Sequence, residues 1–357
     1  MKSFISLSLL TGLSAVAWPV VSQSAAPAAP AAVGTVAVKT LSPAAATPGH
    51  TEGAHEGPLV DGLQPPGIML GHSGKWMVGY DYMFESMRGN LDGTRKVGQG
   101  EILNRFFAAP TDMTMQMHMF MGMYAVNPDL QLMVNVPYLV KSMNHIDQNG
   151  ERFKEKTSGF GDVELRAHYR LYTQANRHHQ VLLNGGVNLP TGSINERRNG
   201  MRLEYPMQLG AGTFSLVPGL TYLGRSDDGW GWGAEFIPTI RVGTNDNDYR
   251  LGNQYRLNAW VIRQVSDSLH LSLRADGKRT ENIKGADPEL DRADEQTKDP
   301  NLQAGTRLDL LGGVSFTPTI LHDQKITVEA GAPVYQSLDG PQLKTTFVGR
   351  LNWQIHF

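Results

Sequence analysis

Large apolar residues recur at every second position along much of the chain. Trp76, Val78, Tyr80, Tyr82 and Phe84 alternate with Met77, Gly79, Asp81, Met83 and Glu85. A period of two places the two sets on opposite faces of one extended strand. The pattern returns with Val163, Leu165, Ala167, Tyr169 and Leu171 against Asp162, Glu164, Arg166, His168 and Arg170, and again from Val181 to Leu189 and from Trp230 to Ile240. Strands of soluble sandwiches usually run about 5–6 residues, whereas a strand that crosses a membrane needs roughly 9–11. These runs have the longer length. The pattern therefore predicts an all-β protein, an antiparallel transmembrane β-barrel of the bacterial outer membrane with about twelve strands.

Strands are predicted over 75–88, 112–124, 130–142, 158–173, 179–190, 209–224, 229–242, 254–265, 268–280, 304–318, 324–337 and 342–357. The connections alternate between long (89–111, 143–157, 191–208, 243–253, 281–303) and short (125–129, 174–178, 225–228, 266–267), with a medium one at 319–323. Only the last, 338–341, breaks the order. Bacterial barrels have short periplasmic turns and longer outer loops, and an even strand number leaves both chain ends on the periplasmic side.

Upstream of the strands, Lys2 precedes an apolar run from Phe4 to Val21 and small residues follow at Ser22, Ser24 and Ala25. This reads as a signal peptide over 1–24, a membrane helix being the alternative. Residues 25–66 are rich in Ala, Pro and Gly, carry His50 and His55, and are expected to form a flexible periplasmic leader before a barrel over 67–357. Composition removes other classes. Only 18% of the 357 residues are charged, 32 Lys and Arg balance 34 Asp and Glu, and there is no basic field for nucleic acid. The absence of cysteine excludes disulfides, thiolate metal sites and a thiol nucleophile. At the other end Phe347, Leu351, Trp353, Ile355 and Phe357 share one face of the final strand, and a terminal Phe357 is the expected signal to the outer-membrane assembly machinery. The expected partners are outer-membrane lipids, that machinery and a small solute.

Seven segments in order carry a family resemblance. They are Trp76 to Met83, Pro110 to Met119, Leu132 to Tyr138, Ser158-Gly159-Phe160-Gly161-Asp162, Leu189-Pro190-Thr191-Gly192-Ser193, Tyr205-Pro206-Met207-Gln208-Leu209-Gly210 and Gly340-Pro341-Gln342-Leu343. From about Gly67 to Phe357 the chain resembles the outer-membrane, transporter-like barrels of the MetA-pathway phenol-degradation family. The resemblance implies an outer-membrane barrel of transporter type and names no substrate. Relatives carry more His and Met just before the first strand than the Gly71-His72-Ser73-Gly74 found here.

Methionine is the unusual chemistry. Met113, Met115, Met117, Met119, Met121 and Met123 occupy successive odd positions of one strand, so their thioethers share a face. That face is lumen or lipid. In the first strand Met77, Asp81, Met83, Glu85 and Met87 oppose an aromatic face, and in the third Gln131, Met133, Asn135 and Lys141 oppose an apolar one. If the turn around Asn127-Pro128 pairs Val126 with Leu130, odd faces odd and the six methionines turn inward, at the cost of Thr114, Gln116 and His118 facing outward. Inward thioethers would suit Cu(I) or Ag(I), with Met133, Met143 and His145 extending the track toward the outer loop. Otherwise methionine is an apolar filler. The other expected lumen-lining residues are Asp162, Glu164, Arg166, His168, Arg170, Glu235, Arg241, Arg256, Arg274, Arg307, Asp309, Glu329 and Arg350. No cofactor is expected. Nor is an enzyme: Asn144-His145 has no nearby Ser, and Gly159-Phe160-Gly161 opens no helix. The function expected is passage of small solutes, soft metal ions or small aromatic compounds, a structural or sensing barrel being the remaining alternative.

Overall fold

The computed structural model describes residues 62–69, 71–317 and 323–357, so the expected signal peptide and the leader up to residue 61 lie outside the described residues. Ten strand elements follow one another: β1 (Trp76–Gly93), β2 (Ala108–Asn127), β3 (Leu130–Asp147), β4 in two pieces (Arg152–Phe160 and Val163–Thr173), β5 (His179–Leu189), β6 in two pieces (Ser215–Leu216 and Gly219–Arg225), β7 (Trp230–Arg241), β8 (Gln254–Gln264), β9 (Leu269–Thr280) and β10 (Gly305–Phe316). The last element, Gln324–His356, doubles back on itself. Its first arm, 324–338 (β11), pairs with β10, and its second, 342–356 (β12), pairs with β1. The reversal falls at Gly340, whose φ of +84° is open only to glycine without strain. At the far end of the hairpin the His356 amide donates to the Asp323 carbonyl at 2.9 Å.

Every neighbouring pair is antiparallel and the ring closes through β12 and β1, which makes twelve crossings. Closure leaves no unpaired sheet edge for the bilayer to meet. Trp76 and Phe357 exchange backbone hydrogen bonds of 2.7 and 2.9 Å, so the strand ends meet on the side that also carries the short turns. The long connections, 190–214, 242–253 and 281–304, gather on the opposite side. One expected loop is absent. Strands β3 and β4 run on to Asp147 and from Arg152, with His145, Asp147, Glu155 and Thr157 buried inside and Asn144, Arg152, Lys154 and Lys156 turned outward, and 143–157 shrinks to a turn at 148–151.

Exposure follows the alternation. Trp76, Phe120, Tyr169, Leu171, Trp230, Phe236 and Phe316 are each more than a third exposed and form the outer belt, while Met77, Asp81, Glu85, Gln131, Asn135 and His168 on the intervening positions are buried. Around the strand ends near the termini, Trp76 lies against Tyr124 at 4.6 Å, as in an interfacial aromatic girdle. Two outward polar residues of β2, His118 and Gln116, are satisfied locally. The Tyr80 hydroxyl lies 2.7 Å from His118 Nδ1, and the Tyr82 hydroxyl donates to Gln116 at 3.0 Å.

Candidate functional site

The barrel interior holds a chamber of about 380 Å³. One wall belongs to β2 and β3. Residues Met77, Asp81, Met83, Glu85 and Met87 of β1 stand opposite Met123, Met119, Met117, Met115 and Met113 of β2, and Met113 and Met123 stand opposite Met143 and Met133 of β3. All six methionines of β2 thus share the face that carries Asp81, Lys141 and Asn135, which is the lumen. Within it, Met119, Met121 and Met133 border the chamber. The strip's two ends are packed shut. Met77, Met123 and Met133 join Met69 and Ala125 in one apolar cluster, and Met113 and Met143 join Leu203 and Met207 in another, with Met87 against it.

The rest of the lining is charged. Asp81, Glu164, Glu235 and Glu329 line the chamber with Arg166, Arg241, Arg256, Arg274 and Arg350, and Asp276 pairs with Arg256, so acids and bases balance five to five. Arg350 bonds Asp81 at 3.0 Å, Arg274 bonds Glu329 at 2.9 Å and Arg166 bonds Glu164 at 2.9 Å. Charges taken from water need such partners. A balanced wall gives an entering ion of either sign little to gain. Trp260 also borders the chamber, with the Arg274 guanidinium 5.7 Å over its ring.

The chamber floor comes from the segment before β1. Pro65, Pro66, Gly67 and Ile68 line it from the periplasmic side. Gln131, fully buried, clamps this segment with both ends of its amide: Oε1 accepts from Met69 N–H at 2.8 Å and Nε2 donates to Gly67 O at 3.1 Å. Lys325 Nζ donates to Gln64 O at 2.6 Å, and Leu63 and Ile68 pack against Leu182, Leu223, Trp260 and Ile262. Residues 62–66, the end of the expected leader, therefore form a plug. Leu63, Ile68 and Met69 were the sequence signal, apolar residues in a stretch otherwise small or polar.

The roof, set above the chamber without bordering it, comes from the connection 190–214, which packs on luminal Met113 and Met143 and is tied into a break in β4. At that break Asp162 accepts from Gly192 N–H at 3.0 Å and from Ala211 N–H at 2.9 Å. Thr191 Oγ donates to Gly161 O at 3.0 Å, and Lys141 Nζ donates to Pro206 O and Gln208 O at 2.9 and 2.6 Å. A Cβ on Gly210 would stand 2.3 Å from Gly192 O, so the two backbones cross where only glycine fits. Three segments that stand far apart in the sequence, around Gly161, Gly192 and Gly210, meet in this one knot.

Several expected lining residues lie elsewhere. Asp162 holds the roof and does not border the chamber. Arg170 reaches to the periplasmic turn and bonds Asp129 Oδ1 at 2.8 Å. Glu85 and Arg307 pair with each other at 3.0 Å, with Asp309 2.9 Å from Arg307, in a closed network away from the chamber. His145 sits on β3, not in a loop, and its ring faces carboxylates, not thioethers.

Residues 114–329 match the profile of the family described as "Putative MetA-pathway of phenol degradation". The chain belongs to that family. No curated protein matches it. Among solved structures, an outer membrane channel from Pseudomonas putida F1 is similar at 12% identity and a TM-score of 0.61, over 83% of this chain and 100% of that one. The P. putida toluene transporter TodX is similar at 10% identity and a TM-score of 0.40, over 80% of this chain and 90% of that one. The likeness is one of fold, that of an outer-membrane β-barrel. Among the described residues no helix is long and apolar enough to cross a membrane.

Proposed function

We propose that the protein is an outer-membrane channel for small uncharged solutes that combine an aromatic or apolar body with a polar group. The observation that carries this reading is the mixed lining of the chamber, thioethers of β2 and β3 along one part of the wall and Trp260 set among neutralised ion pairs on the rest. Methionine sulfur makes favourable contacts with aromatic rings, worth about 0.3–1.5 kcal/mol each, and the polar wall supplies hydrogen-bond partners for a hydroxyl. Cavities of about 150 Å³ take up benzene, so 380 Å³ has room for one substituted ring. Membership of a family described by phenol degradation, and likeness to an outer membrane channel, support the same reading. The chemistry of this chamber is recognition and passage, with no catalytic step in it. The terminal strand ending in Phe357 is read as the address to the assembly machinery.

A second reading keeps the luminal thioethers as a track for Cu(I) or Ag(I), with Met115, Met117, Met119 and Met121 as its middle. Against it stand the two apolar clusters that bury the ends of the strip. Ion current through the purified barrel in planar bilayers separates the two. Under the first reading 4-methylphenol produces concentration-dependent blockades that an aliphatic alcohol of similar size does not, and Met119→Leu with Met121→Leu shortens them. Block by Ag(I) without any response to 4-methylphenol would replace it with the second.

A further inference from the structure

At the outer end of the barrel four side chains from four segments converge: His145 on β3, Glu155 on β4, Glu204 between β5 and β6, and Glu295 between β9 and β10. His145, Glu155 and Glu204 each present a ligand atom, and the three lie within 4.8 Å of one another. His145 Nε2 stands 3.6 Å from Glu204 Oε1 and 3.4 Å from Glu295 Oε2. These separations are too long for good hydrogen bonds. They are the separations of two donors on one tetrahedral ion, since ligand bonds of about 2.0–2.2 Å place neighbouring donors roughly 3.3–3.6 Å apart.

Both ring nitrogens of His145, Glu155 Oε2 and Glu204 Oε1 are buried without hydrogen-bond partners, and His145 and Glu204 are each only 1% exposed. Orphaned polar atoms at that depth are costly unless something else satisfies them. The imidazole is pre-oriented, stacked on Phe153 at 4.8 Å and 8°. Burial and the neighbouring Glu295 hold the Glu204 carboxyl above its ordinary range.

We propose that His145, Glu155, Glu204 and Glu295 bind one divalent first-row transition ion of the Mn²⁺ to Zn²⁺ class, which fastens the 190–214 and 281–304 connections to the barrel wall. One imidazole nitrogen with carboxylate oxygens suits such ions. Calcium and magnesium sites use oxygen alone, and Cu(I) or Ag(I) prefers sulfur. The site is separate from the luminal chamber and from the passage of solute through it.

Purified barrel, stripped with chelator and titrated calorimetrically with ZnCl₂ and with MnCl₂, should take up one ion per chain. His145→Gln and Glu204→Gln should each weaken binding at least tenfold, while His178→Ala, in a turn at the opposite end, should not. Bound Zn²⁺ should also slow tryptic cleavage between Arg197 and Arg202 in the wild-type protein, a readout that stands if a variant fails to fold. No stoichiometric uptake by the wild type at 100 µM metal would overturn the proposal. So would uptake that both folded variants retain at full strength, which would assign the ion to other histidines.

Discussion

Gln131→Leu should open the chamber floor. The native amide satisfies two buried backbone groups of the plug, Met69 N–H and Gly67 C=O, at 2.8 and 3.1 Å. Leucine fills similar space but leaves both groups unpaired, at about 1–3 kcal/mol each. Taking the low end for both gives about 2 kcal/mol, and since 1.4 kcal/mol is a factor of ten, the ratio of docked to released plug falls roughly 30-fold. Lys325 and the burial of Met69 remain, so the plug is loosened and not expelled. Open probability in planar bilayers reads the change, with a deletion of residues 62–69 as the fully open reference. Because the chain contains no cysteine, Ile68→Cys can be labelled with a maleimide as a second measure, and labelling should quicken in the Gln131→Leu background. If the deletion raises open probability and Gln131→Leu does not, the amide clamp is not what holds the plug. If neither does, residues 62–69 are not the gate.

Glu85→Ala should destabilise the barrel by about 3 kcal/mol, the low end for a broken buried pair because Asp309 still partners Arg307; urea unfolding followed by loss of the compact gel band measures it. Gly210→Ala should detach the 190–214 connection, since the added Cβ would stand 2.3 Å from Gly192 O, and should speed proteolysis at Arg197-Arg198 while leaving the barrel heat-modifiable. Phe357→Ser should lower the yield of folded barrel in the outer membrane far more than His356→Gln, because Phe357 is 60% exposed on the outer face and His356 is buried inside; equal yields would count against an outward assembly signal.

Alternation made the strands legible, because every second side chain of a barrel wall meets lipid and the rest meet polar neighbours. It left the face of the β2 methionines open between lumen and lipid, and the odd-to-odd register with β1 and β3 decides it only in the folded ring. The same signal misplaced the top of β3 and β4, where Asn144 and Lys154 read as loop residues although a strand above the membrane can carry polar groups on both faces. The chamber was legible only in part. Glu164, Arg166, Glu235, Arg241, Arg256 and Arg350 were expected in the lumen and border it. Charge alone, however, cannot separate a residue that lines space from one consumed by a partner, as with Glu85 and Arg307, or by backbone, as with Asp162. The plug was hidden for a different reason. Its hold on the barrel runs through backbone groups of residues 62–69 met by the distant side chains Gln131, Lys325 and Gln354, a pairing with no local pattern beyond the apolar Leu63, Ile68 and Met69. The cluster around His145 joins side chains up to 150 positions apart, a closeness that only the closed ring creates.

The knot at Asp162 also dictates an order of events in time. Its bonds join residues separated by 30 positions (Asp162 to Gly192), by 49 (Asp162 to Ala211) and by 65 and 67 (Lys141 to Pro206 and Gln208). None of these contacts can form until β3, β4 and β5 lie side by side, since the break in β4 that presents Asp162 has no fixed shape before then. Contacts that close long stretches of chain are made late. By that measure the knot precedes the seam where β1 meets β12, which joins Met77 to His356 across 279 positions, so the roof is seated before the ring closes.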